Sequence, residues 1–178
     1  MTVTTDSGTD WLLAESLAPD VDGDPLKPLY DGSSRGELVL PFCTHCGAPV
    51  DLDQQVCDQC GSSDTDWRST ELAGIVHTAT LMHRLEPGLV SATAPYPIVD
   101  VELHGGHRLI MTTVDPVSTV PTIGDTVTVG FRCLGGVALP AAHLPAAHPV
   151  PAHPVPAQRV PAQPDPASTD PASSEPED

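Results

Sequence analysis

Apolar and polar residues alternate along the second half of the chain, and this period of two predicts β-strands. The first strand begins after Thr70, with Ile75, His77, Ala79, Leu81 and His83 on one face and Val76, Thr78, Thr80 and Met82 on the other. Further strands are predicted at 97–103, 107–114 and 126–133, with glycine pairs marking two of the turns. Four or five short antiparallel strands in about 70 residues predict a mainly β protein with a small closed barrel, most simply an OB-fold.

The N-terminal third has a weaker pattern. Asp10 is a suitable cap for a helix over 11–18, and Pro19 would end it. The apolar face of this helix packs either on its own domain or on a partner, and the sequence favours neither. Residues 20–28 are predicted to form an acidic linker. The motif at 32–36 matches G-x-S-x-G, but the strand, helix and sheet that a nucleophile elbow needs are not predicted around it, so it is interpreted as a turn before a strand at 37–40.

The strongest chemical signal is a pair of C-x-x-C-G motifs at 43–47 and 57–61, with ten residues between the two cysteine pairs. Two residues between cysteines let both thiolates reach one ion, and the following glycine suits a left-handed backbone. Four such thiolates form the closed tetrahedral site of structural zinc. The predicted Zn²⁺ ligands are Cys43, Cys46, Cys57 and Cys60. His45 could replace a cysteine as ligand, but it is predicted to be an exposed loop residue. Spacing alone leaves iron in a rubredoxin-like site, or two disulfides in a secreted protein, as alternatives.

The other histidines and the fifth cysteine give weaker signals. His77 and His83 are six residues apart on one predicted strand, too far for a two-residue chelate. His104 and His107 flank the predicted hairpin turn and are interpreted as solvated. Cys133 is predicted to be a buried, inert thiol, because no histidine and aspartate arrangement accompanies it in the sequence.

Composition divides the chain of 178 residues into four parts. We predict an N-terminal helix and linker at 1–36, a zinc ribbon at 37–68, an OB-fold at 69–139 and a disordered tail at 140–178, where Pro-Ala units recur and His143, His148 and His153 are expected to be solvated. No apolar run is long enough to span a membrane and no signal peptide is recognisable, so a cytoplasmic protein is expected.

The net charge of −17 bears on function. Residues 37–139 hold twelve acidic residues and four arginines, with no lysine. Nucleic-acid binding depends on neutralising phosphates with lysine and arginine, and this chain has no basic patch to do so. A nucleic-acid partner is therefore not expected, although OB-folds often have one.

Several motifs carry a family resemblance over roughly 26–140. Pro28–Tyr30 with Gly36–Leu38 resembles an aromatic segment followed by a G-E-L lead-in, and the four cysteines match the metal ligands. Segments 74–80, 95–99 with 101–103, and 123–127 resemble the G-x-V-x-S-x-T, PY-x-v and iG-x-x-V motifs of three barrel strands. Together they resemble the zinc-ribbon/OB-fold proteins, long labelled a domain of unknown function, that accompany acyl-CoA-processing enzymes.

The resemblance implies a non-catalytic accessory subunit. Members of that family form complexes with thiolase-like enzymes, including lipid-transfer-type thiolases and steroid side-chain aldolases, or with MaoC-type enoyl-CoA hydratases. The catalytic residues lie largely in the partner, and the barrel helps to hold the acyl-CoA. Arg84 and Arg108, at strand ends beside loops, are the predicted CoA phosphate contacts. The alternatives are a single-stranded nucleic-acid binder and a small stand-alone enzyme acting on CoA esters.

Overall fold

The structure is a computed structural model, and it describes residues 10–144. A 3₁₀ turn at Glu15–Leu17 and helix α1 (Lys27–Ser34) precede the strands. The seven strands are β1 (Leu38–Cys43), β2 (Thr65–Thr70), β3 (Ala73–Met82), β4 (Tyr96–Leu103), β5 (Arg108–Met111), β6 (Thr126–Leu134) and β7 (Val137–His143). The predicted mainly β class is confirmed.

Strands β3 to β7 form a nearly closed barrel. Their order is β5-β4-β3-β6-β7, and all neighbours are antiparallel. The two edge strands approach each other in parallel at Thr113 and Ala142. There the N–H of Ala142 donates to the Thr112 carbonyl at 2.8 Å, and the N–H of Val114 donates to the Ala142 carbonyl at 3.0 Å. This strand order with a parallel closure is that of an OB-fold, as predicted.

A β-bulge interrupts the alternation predicted for the first barrel strand. The pairing of β3 with β4 shifts between Val76 and Thr78. Before the bulge Val76 is buried, and after it Ala79 and Leu81 are the partly buried positions. An extra residue in one strand reverses which side chains face inward. The single continuous face predicted from Ile75 to His83 is therefore wrong.

The ribbon and the helix share the hydrophobic core of the barrel. Leu38 and Leu40 of β1 are fully buried and cluster with Leu29 of α1 and with Val99 and Val101 of β4. The ribbon is completed by β2, which pairs antiparallel with β1 and which the sequence analysis did not separate from its surroundings. This packing explains why the barrel and the ribbon lie in one compact unit.

Helix α1 lies where the sequence analysis placed a linker and a turn. Pro28 occupies its first turn, and the Asp24 carboxylate accepts a hydrogen bond from the Leu26 N–H at 2.7 Å. Its C-terminal half, with Gly32 and two serines, has low helix propensity, but packing of Leu29 into the core compensates. The Ser34 hydroxyl of the G-x-S-x-G match donates to the Asp31 carbonyl at 2.8 Å and so caps its own helix.

Residues 10–18, which we call the strap, are mostly extended rather than helical. Helical geometry is confined to the 3₁₀ turn, and Leu13 forms an isolated bridge with Val90. The Asp10 carboxylate accepts from the N–H groups of Leu12 and Leu13, but the chain then pairs with the β3–β4 loop instead of continuing as a helix. Leu12 is 3% exposed, so the strap packs on its own domain.

The last strand corrects one predicted boundary. Strand β7 continues to His143, so the first residues assigned to the tail belong to the barrel. His143 is exposed, but it lies in this strand. The rest of the predicted tail, with His148 and His153, lies outside the described residues. Within 10–144 there is no helix with the length and hydrophobicity that crossing a bilayer requires.

Candidate metal centre and the barrel surfaces

Two backbone loops of matching geometry carry the four cysteines. In the first, the N–H of Gly47 donates to the Cys43 carbonyl at 2.9 Å, and in the second the N–H of Gly61 donates to the Cys57 carbonyl at 2.8 Å. Both glycines have a positive φ, 76° and 75°, which the sequence analysis expected of the residue after each cysteine pair. Each loop therefore directs two thiols toward the same point.

The four sulfurs form one cluster. All of them lie within 4.8 Å of one another, with Cys43 Sγ to Cys60 Sγ at 3.5 Å and Cys46 Sγ to Cys57 Sγ at 3.6 Å. Thiolates on a tetrahedral zinc with Zn–S bonds of about 2.3 Å would lie about 3.8 Å apart, so the donor set fits this ion. Cys43 and Cys57 are buried, whereas Cys46 and Cys60 are exposed.

Electrostatics explains why such a cluster needs a cation. The N–H of Cys46 is the main cause that lowers the pKa of Cys43 to about 6, with burial opposing it. The N–H of Ser62 lowers the pKa of Cys60, but burial and the three neighbouring sulfurs together raise it to about 12. Four crowded thiols therefore cannot all ionise at neutral pH unless a positive ion joins them. Zn²⁺ supplies that charge and stabilises the fold without any chemical step of its own.

His45 lies beside this cluster but outside it. The histidine is exposed, and the group of potential metal ligands found in residues 10–144 contains the four cysteines alone. The prediction that His45 is a loop residue is confirmed.

The two predicted CoA contacts lie far apart. Arg84 follows β3, beyond the Met82–Tyr96 pair, whereas Arg108 is paired with Glu102 near the other end of β4. Six residues of extended strand correspond to roughly 20 Å, so the two arginines cannot bind the same phosphate.

Both arginines already have carboxylate partners. Arg84 Nη2 lies 2.8 Å from Glu86 Oε2. Arg108 forms a bidentate ion pair with Asp100, and this pairing raises the pKa of the Arg108 guanidinium. An incoming phosphate would have to compete with these carboxylates. The role of Arg84 and Arg108 in CoA binding stays a prediction.

His107 is buried, in contrast to the predicted solvated residue. It is 2% exposed, and its Nε2–H donates to the Pro41 carbonyl in β1 at 2.8 Å. Its ring meets Phe42 edge to face at 4.7 Å between centroids. His104 instead pairs with Glu71, at 3.2 Å between Nδ1 and Oε2. The two histidines thus have different partners, and His107 joins the barrel to the ribbon.

A largely buried ion pair was not predicted from the sequence. The Arg132 guanidinium of β6 pairs with the Asp10 carboxylate of the strap, and their side chains are 10% and 1% exposed. The residues are 122 positions apart in the chain, so no local pattern could join them. Arg132 therefore has a structural partner in the strap, and Cys133 beside it is half-buried.

Comparison with known proteins agrees with this architecture. Residues 42–63, which include all four cysteines, match the family model of the zinc-ribbon domain. A chain of the solved structure described as "Ltp2-ChsH2(DUF35) aldolase" is similar to this one, with a TM-score of 0.59 and 23% identity, over 71% of this chain and 98% of that chain. A solved DUF35-family protein of unknown function from Sulfolobus solfataricus is similar with a TM-score of 0.44 and 14% identity, over 60% and 78%. No curated protein sequence matches the chain.

The zinc-ribbon match and the first structural likeness define a zinc-ribbon/OB-fold protein. The predicted zinc ribbon is confirmed, and its four close cysteines suit a structural Zn²⁺. Spacing had left iron open, and the zinc-ribbon match favours zinc.

Proposed function

We propose that this chain is a non-catalytic accessory subunit of an enzyme complex that acts on acyl-CoA esters. The observation that carries the proposal is the agreement in fold between this ribbon and barrel and nearly the whole of one chain of an aldolase complex, 98% of that chain at a TM-score of 0.59. The partner we propose is a thiolase-like enzyme, of the lipid-transfer-type thiolase or aldolase kind, or else a MaoC-type hydratase. The family resemblance suggests a steroid side chain as the acyl group, and the assay with acyl-CoA substrates described below tests it.

The metal centre supports an accessory role. We propose that Cys43, Cys46, Cys57 and Cys60 bind one Zn²⁺ and that this ion holds the ribbon together. Four protein ligands fill a tetrahedral zinc site and leave no position for substrate or water. The ion therefore shapes a surface rather than taking part in a reaction.

Charge supports a shared acyl-CoA site. CoA carries several phosphate charges, and a field of like sign opposes their approach. Since Arg84 and Arg108 are both paired with carboxylates, we propose that the partner supplies most of the cations and that this barrel shapes the acyl pocket. A cytoplasmic location agrees with cysteines kept reduced for metal binding.

Reconstitution tests the proposal. The full chain is used as bait in a pull-down from its native host, and a thiolase-like or hydratase subunit that co-purifies is then co-expressed with it. The complex is sized by light scattering and assayed with acyl-CoA substrates. We expect a complex of fixed stoichiometry whose activity exceeds that of the partner alone, with no turnover by this chain alone. Turnover by the isolated chain would indicate a stand-alone enzyme, and tight binding of single-stranded DNA or RNA would indicate a nucleic-acid binder.

A further inference from the structure

The strap covers one end of the barrel. OB-folds bind ligands on the face of their second and third strands, between the first and the last connecting loops of the barrel. Here those loops are 83–95 and the Gly135–Gly136 turn. The Ala14 N–H donates to the Leu89 carbonyl at 2.9 Å, and a Cβ on Gly135 would lie 2.6 Å from that of Ala18. The strap therefore lies against both loops, and the open part of the ligand face is at the other end.

The open part carries the most exposed large hydrophobic residues in the described chain. Ile110 on β5 is 77% exposed and Ile123 is 69% exposed, whereas the next, Val56, is 49%. Ile75 is 40% exposed on β3, which β4 separates from β5. The turn that carries Ile123 runs beside β3, because the Gly124 N–H donates to the Val76 carbonyl at 2.8 Å. We call this surface, with Ile75, Ile110 and Ile123, the isoleucine face.

Charged residues stand beside two of these isoleucines, since Ile110 pairs with Asp100 and Ile75 pairs with Glu102 across the strands. Asp100 pairs with Arg108, and Glu102 lies 3.7 Å from the His77 ring. Asp100 is largely buried and neutralised by Arg108, so the exposed Glu102 carboxylate gives this surface its negative charge, in a chain of net charge −17. Such a surface repels phosphate backbones and attracts lysine and arginine. Exposed apolar residues bordered by polar groups mark protein interaction sites.

We propose that the isoleucine face docks the enzyme subunit of the complex proposed above, and that this subunit presents an apolar pocket bordered by lysine or arginine side chains. The inference rests on the proposed function and adds the surface that carries it. From β5 to the turn at Ile123 the face is about 14 Å wide at the usual strand spacing. That width suits the apolar centre of an interface that buries about 800 Å² on each partner. Ile110 is the anchor of the interface.

The test measures the dissociation constant between the full chain and the co-purified enzyme subunit by calorimetry. Ile110→Lys places a cation where the pocket is bordered by cations, while the cross-strand neighbour Asp100 accommodates it in the free chain. We expect binding at least about tenfold weaker. Leu85→Lys is the matched control, because Leu85 is an exposed leucine in the 83–95 loop, which the strap contacts. This variant should bind the enzyme subunit as tightly as the wild type does. Unchanged melting temperatures verify folding.

A second variant tests the charge. Glu102→Gln removes one carboxylate at the edge of the face, and we expect association about threefold slower at low salt, with the difference closing in 0.5 M salt. If the wild type binds the subunit and Ile110→Lys binds it equally well, the isoleucine face is wrong while the proposed function stands. If the wild type forms no complex, both fail. A self-association of the isolated chain that Ile110→Lys abolishes would assign the face to a second copy and overturn the proposal.

Discussion

At the scale of single residues, His107 connects the two modules. A carbonyl oxygen only accepts hydrogen bonds, so the contact with Pro41 places a proton on Nε2. The other nitrogen, Nδ1, is buried and has no hydrogen-bond partner within residues 10–144. A second proton there would be a charged donor without an acceptor. Burial accordingly lowers the pKa of His107, although the Pro41 carbonyl and Asp51 act in the opposite direction.

His107 should make stability depend on pH. Its pKa is lower in the folded chain than its ordinary 6.5, so the unfolded chain binds the proton more readily. The stability it contributes is fully present above pH 6.5 and is lost as pH falls through the lowered value. In urea unfolding of zinc-saturated protein, we expect wild type to lose more stability between pH 7 and pH 5 than His107→Gln. At pH 7 the variant should be less stable by about 1–3 kcal/mol. Parallel pH profiles would show that His107 does not titrate in this way.

The buried pair of Asp10 and Arg132 should be sensitive to loss of one partner. Asp10→Ala leaves a guanidinium that is 10% exposed without its counterion, and we expect a loss of about 3–5 kcal/mol in chemical unfolding. Arg132→Met added to Asp10→Ala should restore part of it, because no buried charge then remains. If the double variant lost as much stability as Asp10→Ala alone, the loss would come from displacement of the strap rather than from the unpaired guanidinium.

At the scale of elements, the zinc ribbon and the barrel should unfold together. Because β1 supplies Leu38 and Leu40 to the barrel core, disorder of the ribbon removes part of that core. We expect one zinc per chain by metal analysis, and we expect Cys46→Ser to lose it and to lower the melting temperature by on the order of 10 °C. Cys133→Ser is the control that should retain zinc. A barrel that melts normally in Cys46→Ser would mean that the modules fold independently.

Strand β7 decides where the chain can be shortened. Ala141 and Ala142 are fully buried or nearly so, and Ala142 makes the closing bridge to Thr113. A chain that ends at Leu144 should melt as the full protein does and bind its partner equally, since the Pro-Ala repeat offers no apolar face. A chain that ends at Leu139 should not give a cooperative transition in calorimetry. If the chain that ends at Leu144 lost partner binding, the tail would be a docking segment.

At the scale of the whole molecule, the charge balance predicts weak binding of acyl-CoA by the isolated chain. Residues 37–139 hold twelve acidic residues and four arginines, a net of −8, since 4 − 12 = −8. We expect a dissociation constant above about 0.1 mM in calorimetric titration, and tighter binding by the complex. Tight binding by the isolated chain that Arg84→Ala or Arg108→Ala abolishes would make the barrel itself the CoA receptor.

Much of this molecule was predictable because its signals are local. Each C-x-x-C-G motif brings its own two thiols together whichever way the rest of the chain folds, since both cysteines and the turn lie within five residues, and two such motifs favour a metal site. Alternation of apolar side chains located β4 and β6 to within a residue or two. Helix α1 was missed because its own residues are poor helix formers and its stability comes from Leu29 in the core.

The sequence by itself determined the zinc ribbon, the positions of β4 and β6 and the strong negative charge, because each depends on composition or on neighbours in the chain. Only the tertiary structure decided which strands meet at the barrel closure and where the β3 bulge reverses the faces. It also decided that His107 is buried and that Arg132 is largely buried against Asp10. These features come from contacts between residues far apart in the chain, such as Asp10 and Arg132. Whether such a residue is buried depends on the residue that packs against it, and a local sequence pattern does not include that distant residue.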